Sequence, residues 1–255
     1  MLGLIVNEKI ICEKALADKY IEGKPMKIIR LIIKKYLNEK LTKEQVFEKV
    51  DNFMKEIYKD KYNKSYWKKV ISDSINTVSK YNNYNLINIE KIDIYKEELD
   101  IIESLNDIRL EKLAFVLLIY AKINKIINPT SDGRININLA YIFKESKLVS
   151  DKKLLHKLVD IQYILTSKIC DSTTMKINYI NEEGEVRLTV FNLNDLNPIT
   201  YYLEYKLNET YNNCEICASR FKQKSKKPRK YCNKCAKEID KEKAKERMKN
   251  IRNFQ

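Results

Sequence analysis

IRLEKLAFVLLIYAKINKII, residues 108–127, is the most apolar stretch of the chain and decides the reading of its middle. Its centre is apolar nearly all round instead of along one stripe. A helix with one apolar stripe lies on a surface, whereas one that is apolar on every side is enclosed by neighbours. Asn128-Pro129 ends it, because proline cannot continue a helix and biases the residue before it away from helical geometry. The segment is therefore expected to be the central helix of a core. No apolar run in the chain approaches the ~18–20 residues a membrane span requires.

Downstream, the turn TSDGR leads into INLAYIFKES, which reads as a short helix carrying Leu139, Ala140 and Phe143. KLVS then opens DKKLLHKLVDIQYILTSK. Ser150 is a good N-cap, and Leu154, Leu155, Leu158, Ile161 and Leu165 form its buried stripe. MKINYI (175–180) and VRLTVF (186–191) alternate in phase and flank NEEGE, whose Gly184 supplies a turn, so they predict a β-hairpin. Helix, short helix, turn, helix, hairpin is the order of a winged helix-turn-helix; an unrelated α+β domain sharing that order is the alternative. In the winged reading the helix after Ser150 enters a major groove. Lys152, Lys153, His156 and Lys157 would face it, with Lys176 and Arg187 of the hairpin near the backbone.

Upstream, residues 1–84 read as a helical module. Val46, Phe47, Val50, Phe53, Met54, Ile57 and Tyr58 recur at three- and four-residue steps, behind a capping box at Thr42-x-x-Gln45. Trp67, Val70, Ile71, Ile75 and Val78 mark a further helix. YNNYNLIN (81–88) is a boundary, and LINIEKIDI (86–94) includes a short strand. The expected organisation is a helical module (1–84), a winged-helix-like domain (85–195), a linker (196–210) and a four-cysteine module with a basic helix (211–255). The fold class is mainly α with a small β-hairpin.

The last module rests on CEICASRFKQKSKKPRKYCNKC, residues 214–235. Four of the chain's six cysteines fall there, in two C-x-x-C pairs. Disulfide scaffolds spread their cysteines; tight pairs are the pattern of metal ligands. Cys214, Cys217, Cys232 and Cys235 are expected to hold a structural Zn2+ as a zinc ribbon. Four thiolates close the tetrahedron and leave no position for a reactive water. With little apolar sequence between the pairs, metal binding would supply most of the module's folding free energy, on the order of 10 kcal/mol. Cys12 and Cys170 stand alone among apolar neighbours and read as buried thiols.

Charge concentrates in the same place. The chain carries a net +14, of which Arg220–Arg252 holds +11, fifteen basic residues against four acidic. That is the footprint of a polyanion partner. The candidate nucleic-acid contacts here are Arg220, Lys222, Lys226, Lys227, Arg229 and Lys230 between the pairs, and Lys241, Lys245 and Arg247 on the helix that follows.

CEIC…KYCNKCAKEIDKEKAKERM resembles the C-terminal zinc ribbon of phage- and plasmid-borne proteins of low-GC bacteria, where C-x-x-C-G…K-Y-C-x-x-C-A-K-E-I precedes a basic helix. EELDIIESLNDIRLEKLAFVLLIYAKI is similar to an upstream block of the same proteins, so the resemblance covers about half the chain. It implies a DNA-binding role and the same four metal ligands, and it transfers no activity. Ala218 stands where that pattern has Gly.

Catalytic constellations are missing from the sequence. A single His excludes the zincin motifs, and four Gly at positions 3, 23, 133 and 184 leave no phosphate loop. Glu145-x-Lys147 lacks the upstream acid a nuclease would need. The expected protein is a non-enzymatic, cytoplasmic, nucleic-acid-binding protein of a mobile element. Duplex DNA is its partner, the membrane is not, and its role is regulatory or replication-associated. Two further readings stay open: an RNA-binding protein, and an adaptor that docks on a host replication or transcription protein through the zinc ribbon.

Overall fold

The computed structural model describes residues 7–21, 23–80, 84–166, 169–170, 172–191, 197–223 and 228–253. They are mainly helical with small antiparallel sheets, and no helix among them is long and apolar enough to cross a membrane. The chain forms two units, Met1–Ile89 and Glu90–Gln255.

The first unit packs α1 (Glu8–Asp18), α2 (Pro25–Asn38), α3 (Lys43–Tyr58) and α4 (Lys64–Val78) around one core. Ile28, Ile29, Ile32 and Ile33 of α2 meet Val46, Val50 and Met54 of α3 and Trp67 and Ile71 of α4. The capping box forms: Thr42 Oγ1 accepts from the Gln45 N–H (3.3 Å), and the Gln45 side chain accepts from the Thr42 N–H (2.9 Å). Asn63 caps α4 by accepting from the Tyr66 N–H at 2.9 Å.

In the second unit, β1 (Lys91–Tyr95) and α5 (Lys96–Glu103) precede α6 (Ile108–Ile127), the enclosed helix expected from the sequence. From Leu113 to Ile123 every side chain of α6 is buried. The chain continues through β2 (Arg134–Asn138), α7 (Leu139–Glu145), α8 (Lys152–Asp160), β3 (Ile164–Leu165), β4 (Ser172–Ile177) and β5 (Val186–Phe191). α7, α8, β2 and β4 all pack on α6. Two polar pairs are buried with it. Glu98, fully enclosed, accepts from the backbone N–H groups of Tyr95 (2.9 Å) and Asn181 (2.7 Å) and pairs with the Lys122 ammonium at 2.7 Å. Glu111 accepts from the Tyr202 hydroxyl at 2.7 Å.

The expected hairpin between residues 175–180 and 186–191 is not formed. β4 lies between β2 and β3 in one antiparallel sheet, with Ile135 opposite Met175 and Ile164 opposite Ile177. β5 pairs instead with β1, Ile92 opposite Val190 and Ile94 opposite Leu188. Their common phase arises because each strand turns a face to the core, and it says nothing of mutual pairing. Contacts at the start of α5 direct the connection elsewhere: Glu98 holds the Asn181 N–H, and the Lys96 N–H donates to the Glu185 carbonyl at 2.8 Å. Gly184 (φ +143°) passes so close to Glu97 that a Cβ would meet its carboxylate at 2.8 Å.

Three other boundaries differ from expectation. The N-cap of α8 is Asp151, whose carboxylate accepts from the Lys153 N–H at 3.0 Å, in place of Ser150. α8 ends at Asp160, since Gln162 adopts a left-handed φ of 60° and the Tyr163 N–H closes back on the Leu158 carbonyl; Ile161 and Leu165 are consequently exposed. Residues 199–207, read as linker, are α9 (Ile199–Leu207), whose Ile199 and Tyr202 are fully buried. Tyr202 stacks on Phe115 of α6 at 5.0 Å.

Candidate metal centre and basic helix face

After α9 the chain forms a two-stranded antiparallel ladder, β6 (Tyr211–Asn213) with β7 (Arg220–Lys222). The turn between them carries the first cysteine pair. Its backbone is fixed by the Ala218 N–H donating to the Cys214 carbonyl and the Cys214 N–H donating to the Ser219 carbonyl, both at 2.9 Å. Ala218 has φ 56°. This is the left-handed position where glycine is free of strain and alanine costs roughly 1–2 kcal/mol. The second pair opens α10 (Asn233–Asn253): Cys232 immediately precedes the helix, its carbonyl accepting from the Ala236 N–H at 2.9 Å, and Cys235 lies in the first turn. Ala236 is therefore ordinary helical backbone and needs no glycine. One ligand pair sits on a hairpin and the other on a helix. A bond from the Glu215 N–H to the Lys230 carbonyl (3.0 Å) ties the two halves together.

The four cysteine Sγ atoms lie within 4.8 Å of one another, and Cys217 and Cys232 are 3.7 Å apart. A tetrahedron with bonds of ~2.3 Å has edges of roughly 3.8 Å, so the donor set fits a zinc ion by both distance and ligand type. The local field favours thiolate at the first pair. Burial opposes ionisation of Cys214, but backbone N–H groups of Cys217, Cys232 and Ile216 outweigh it and bring the thiol down to about 6. Cys217 is lowered too, first by the Ser219 hydroxyl. Cys235 is pushed up, first by its hydrogen bond with Cys217 and then by burial. Four thiolates this close repel one another, and a divalent cation is the species that relieves the repulsion.

Much of the charge counted around these cysteines is internally engaged. The Arg220 side chain is only 14% exposed; it pairs with Glu204 of α9 and lies 3.9 Å above the Tyr201 ring and 5.6 Å from that of Tyr211. Arg229 donates to Asn233 (2.8 Å) and to the Lys222 carbonyl (3.2 Å) and covers Phe221. Lys222 pairs with Glu209, and Lys230 with Glu215 at 3.4 Å. Lys226 and Lys227 lie outside the described residues. The docking partners Tyr201, Glu204 and Tyr211 were missed from the sequence, because nothing local in the chain links them to Arg220. Lys147, between α7 and α8, also lies over Tyr211 at 5.1 Å, and burial lowers its amine.

Of the remaining candidates, those on α8 and α10 are exposed. On α8, Leu154, Leu155 and Leu158 are buried, while Lys152, Lys153, His156 and Lys157 are exposed together on the outer face. Lys241, Lys245 and Arg247 are exposed on α10. Arg187 belongs to β5, in a different sheet from Lys176 of β4, and pairs with Glu185 at 3.1 Å. Lys176 faces Asp132 at 3.7 Å. A cleft of about 440 Å3 is bordered by Lys91, Asp93, Tyr95, Lys122 and Lys125. The Lys122 ammonium there is taken up by Glu98, by the Asp93 carbonyl at 2.8 Å and by the Tyr95 ring.

No protein-family model, curated protein or solved structure matches this chain.

Proposed function

We propose that this chain binds duplex DNA through a winged helix formed by α6 to β4, and that its C-terminal module is held by a structural zinc ion. The observation that carries the reading is α8: an amphipathic helix whose inner leucines lock it onto α6 and whose outer face offers three lysines and the chain's single histidine. The order helix, strand, helix, helix, strand, strand, with the last strand between the other two, supports it further. This is the arrangement that presents the second helix of a helix-turn-helix to a major groove. The wing strands are then β3 and β4. α10 spans roughly 30 Å at ~1.5 Å per residue and adds phosphate contacts through Lys241, Lys245 and Arg247. The zinc holds the hairpin and the helix start together and takes no part in chemistry.

Fluorescence anisotropy with a duplex oligonucleotide over a salt series tests this. Wild type is expected to show log Kobs falling steeply with log salt. K152Q/K153Q/K157Q is expected to flatten the slope by about 2.7, at ~0.9 for each phosphate no longer neutralised. Unchanged affinity and slope in that variant would remove α8 as the DNA-facing element. Preference for structured RNA would move the assignment to RNA. Metal analysis of the same preparation is expected to give one zinc per chain, absent from C214S/C235S.

A further inference from the structure

The first unit carries a basic corner that the winged-helix reading does not use. KDKYNKSYWKK, residues 59–69, joins α3 to α4. Lys59, Lys61, Lys64 and Lys69 are all exposed. Two carboxylates of α3 near the corner make their direct contacts elsewhere: Asp51 with Lys55 (2.6 Å) and the Tyr62 hydroxyl, with Lys64 acting on it only through space, and Glu56 with Lys19 (2.8 Å). Asp60 is the acidic residue within the stretch. Lys68 turns to the groove between α3 and α4, which Glu44 and Glu48 also line, and is left out of the set.

Among these lysines stands Tyr66, which is 57% exposed. Its backbone N–H is capped by Asn63. Its ring meets Trp67 in a T-shaped contact at 4.9 Å and 78°, and the buried Trp67 in turn packs on Tyr58 at 5.0 Å. The ring is thus anchored from below, and much of its surface is left to solvent. Lys69 follows one helical turn later on the same side.

We infer that this corner binds single-stranded nucleic acid, with Tyr66 stacking on a base and Lys59, Lys61, Lys64 and Lys69 meeting the flanking phosphates. Lysines alone would suit any polyanion. An anchored, exposed aromatic among them selects a partner with accessible flat faces, and base–aromatic stacking combined with backbone-tracking charge is how single strands are held. In a duplex those faces are closed to it. The corner belongs to the first unit and α8 to the second, and the inference does not depend on the duplex reading.

The test uses full-length protein and labelled dT12, rU12 and duplex probes in a salt series. K59Q/K61Q/K64Q/K69Q is expected to flatten the single-strand slope by roughly 2–3, at ~0.7 per phosphate. Y66A is expected to weaken single-strand binding roughly 5- to 150-fold, the range for removal of one stacked base, and Y66F to retain it. Duplex affinity stays with α8: K152Q/K153Q/K157Q weakens it and flattens its salt slope, and keeps single-strand binding. Trp67 emission checks that each corner variant is folded. The comparison of dT12 with rU12 assigns the strand to DNA or RNA. Unchanged single-strand binding in Y66A and the lysine variant would overturn the proposal. So would equal loss of duplex and single-strand binding, or competition by poly-glutamate as effective as by oligonucleotide.

Discussion

Replacing Lys122 by Met removes the cation paired with Glu98 while keeping most of the side-chain volume. Glu98 is 0% exposed and Lys122 9% by side chain, with 2.7 Å between them. The carboxylate would keep its two backbone donors, Tyr95 and Asn181, but lose its counter-charge in an enclosed site. Removing one partner of a buried pair costs about 3–5 kcal/mol. The two remaining N–H bonds place the expected loss at the lower end, about 3 kcal/mol. With a urea m-value of about 2 kcal/mol/M, that lowers the midpoint by about 1.5 M. The assay is urea unfolding followed by far-UV circular dichroism. The chain's single Trp, Trp67, is buried in the first unit, so its fluorescence reports that unit's own core and serves as the internal control. E98Q/K122M is expected to recover part of the loss, because no buried charge is left unpaired. A shift below about 0.3 M in K122M would show that the pair is not the enclosed, mutually dependent contact described here.

Arg220→Ala is expected to lower the stability of the second unit by about 2 kcal/mol, through the loss of a mostly buried charge pair and two ring contacts. Arg220→Lys should not restore it, since an ammonium cannot replace the planar guanidinium between Tyr201 and Tyr211; hydrogen exchange across residues 211–223 reads the change. Lys230→Gln, at an exposed pair, should stay within about 0.5 kcal/mol in the same urea assay. In the first unit, burial and then the bond to Asp51 raise Tyr62 from about 10 to about 12. A tyrosine held protonated in this way stabilises the fold below pH about 10, and the contribution is lost as pH rises through about 12. Asp51, lowered by Lys55 and Tyr62 against the cost of burial, contributes above its unfolded value near 4, and that contribution is lost as pH falls through its lower folded value. The difference in Trp67-monitored stability between wild type and Y62F is expected to vanish at the alkaline end; a constant difference up to pH 12 would refute the pairing.

What could be read from the chain divides along a physical line. α6 was legible because enclosure leaves a composition signal of its own, and the inner face of α8 because leucines at helical spacing have few alternative explanations. The four clustered cysteines were legible because their grouping is local in sequence. Strand partnership was not: Val186, Leu188 and Val190 alternate identically whether they pair with β4 or with β1, and the choice is made by Glu98 and the Glu185 carbonyl, interactions with no local trace. The strand β2 was missed, because Arg134 was read as turn and Ile137-Asn138 as the start of a helix. At the cysteines, their grouping was readable and charge availability was not. Arg220 and Arg229 look in sequence like phosphate contacts, and only the positions of Tyr201, Glu204 and Phe221 reveal them as part of the module's own packing.

The placement of Cys232 and Cys235 at the start of α10 has a consequence for how that helix comes to exist. Few of its described side chains are buried, and its sequence is largely charged. A polar helix of this kind is limited by its first turn, where several residues must be ordered for one hydrogen bond, a step disfavoured by a factor of about a thousand. A metal bridging Cys232 and Cys235 would fix that turn in advance, so that every later residue would only propagate. Such an ion would act as a nucleus, and the helicity of α10 would become a function of metal occupancy at its first turn.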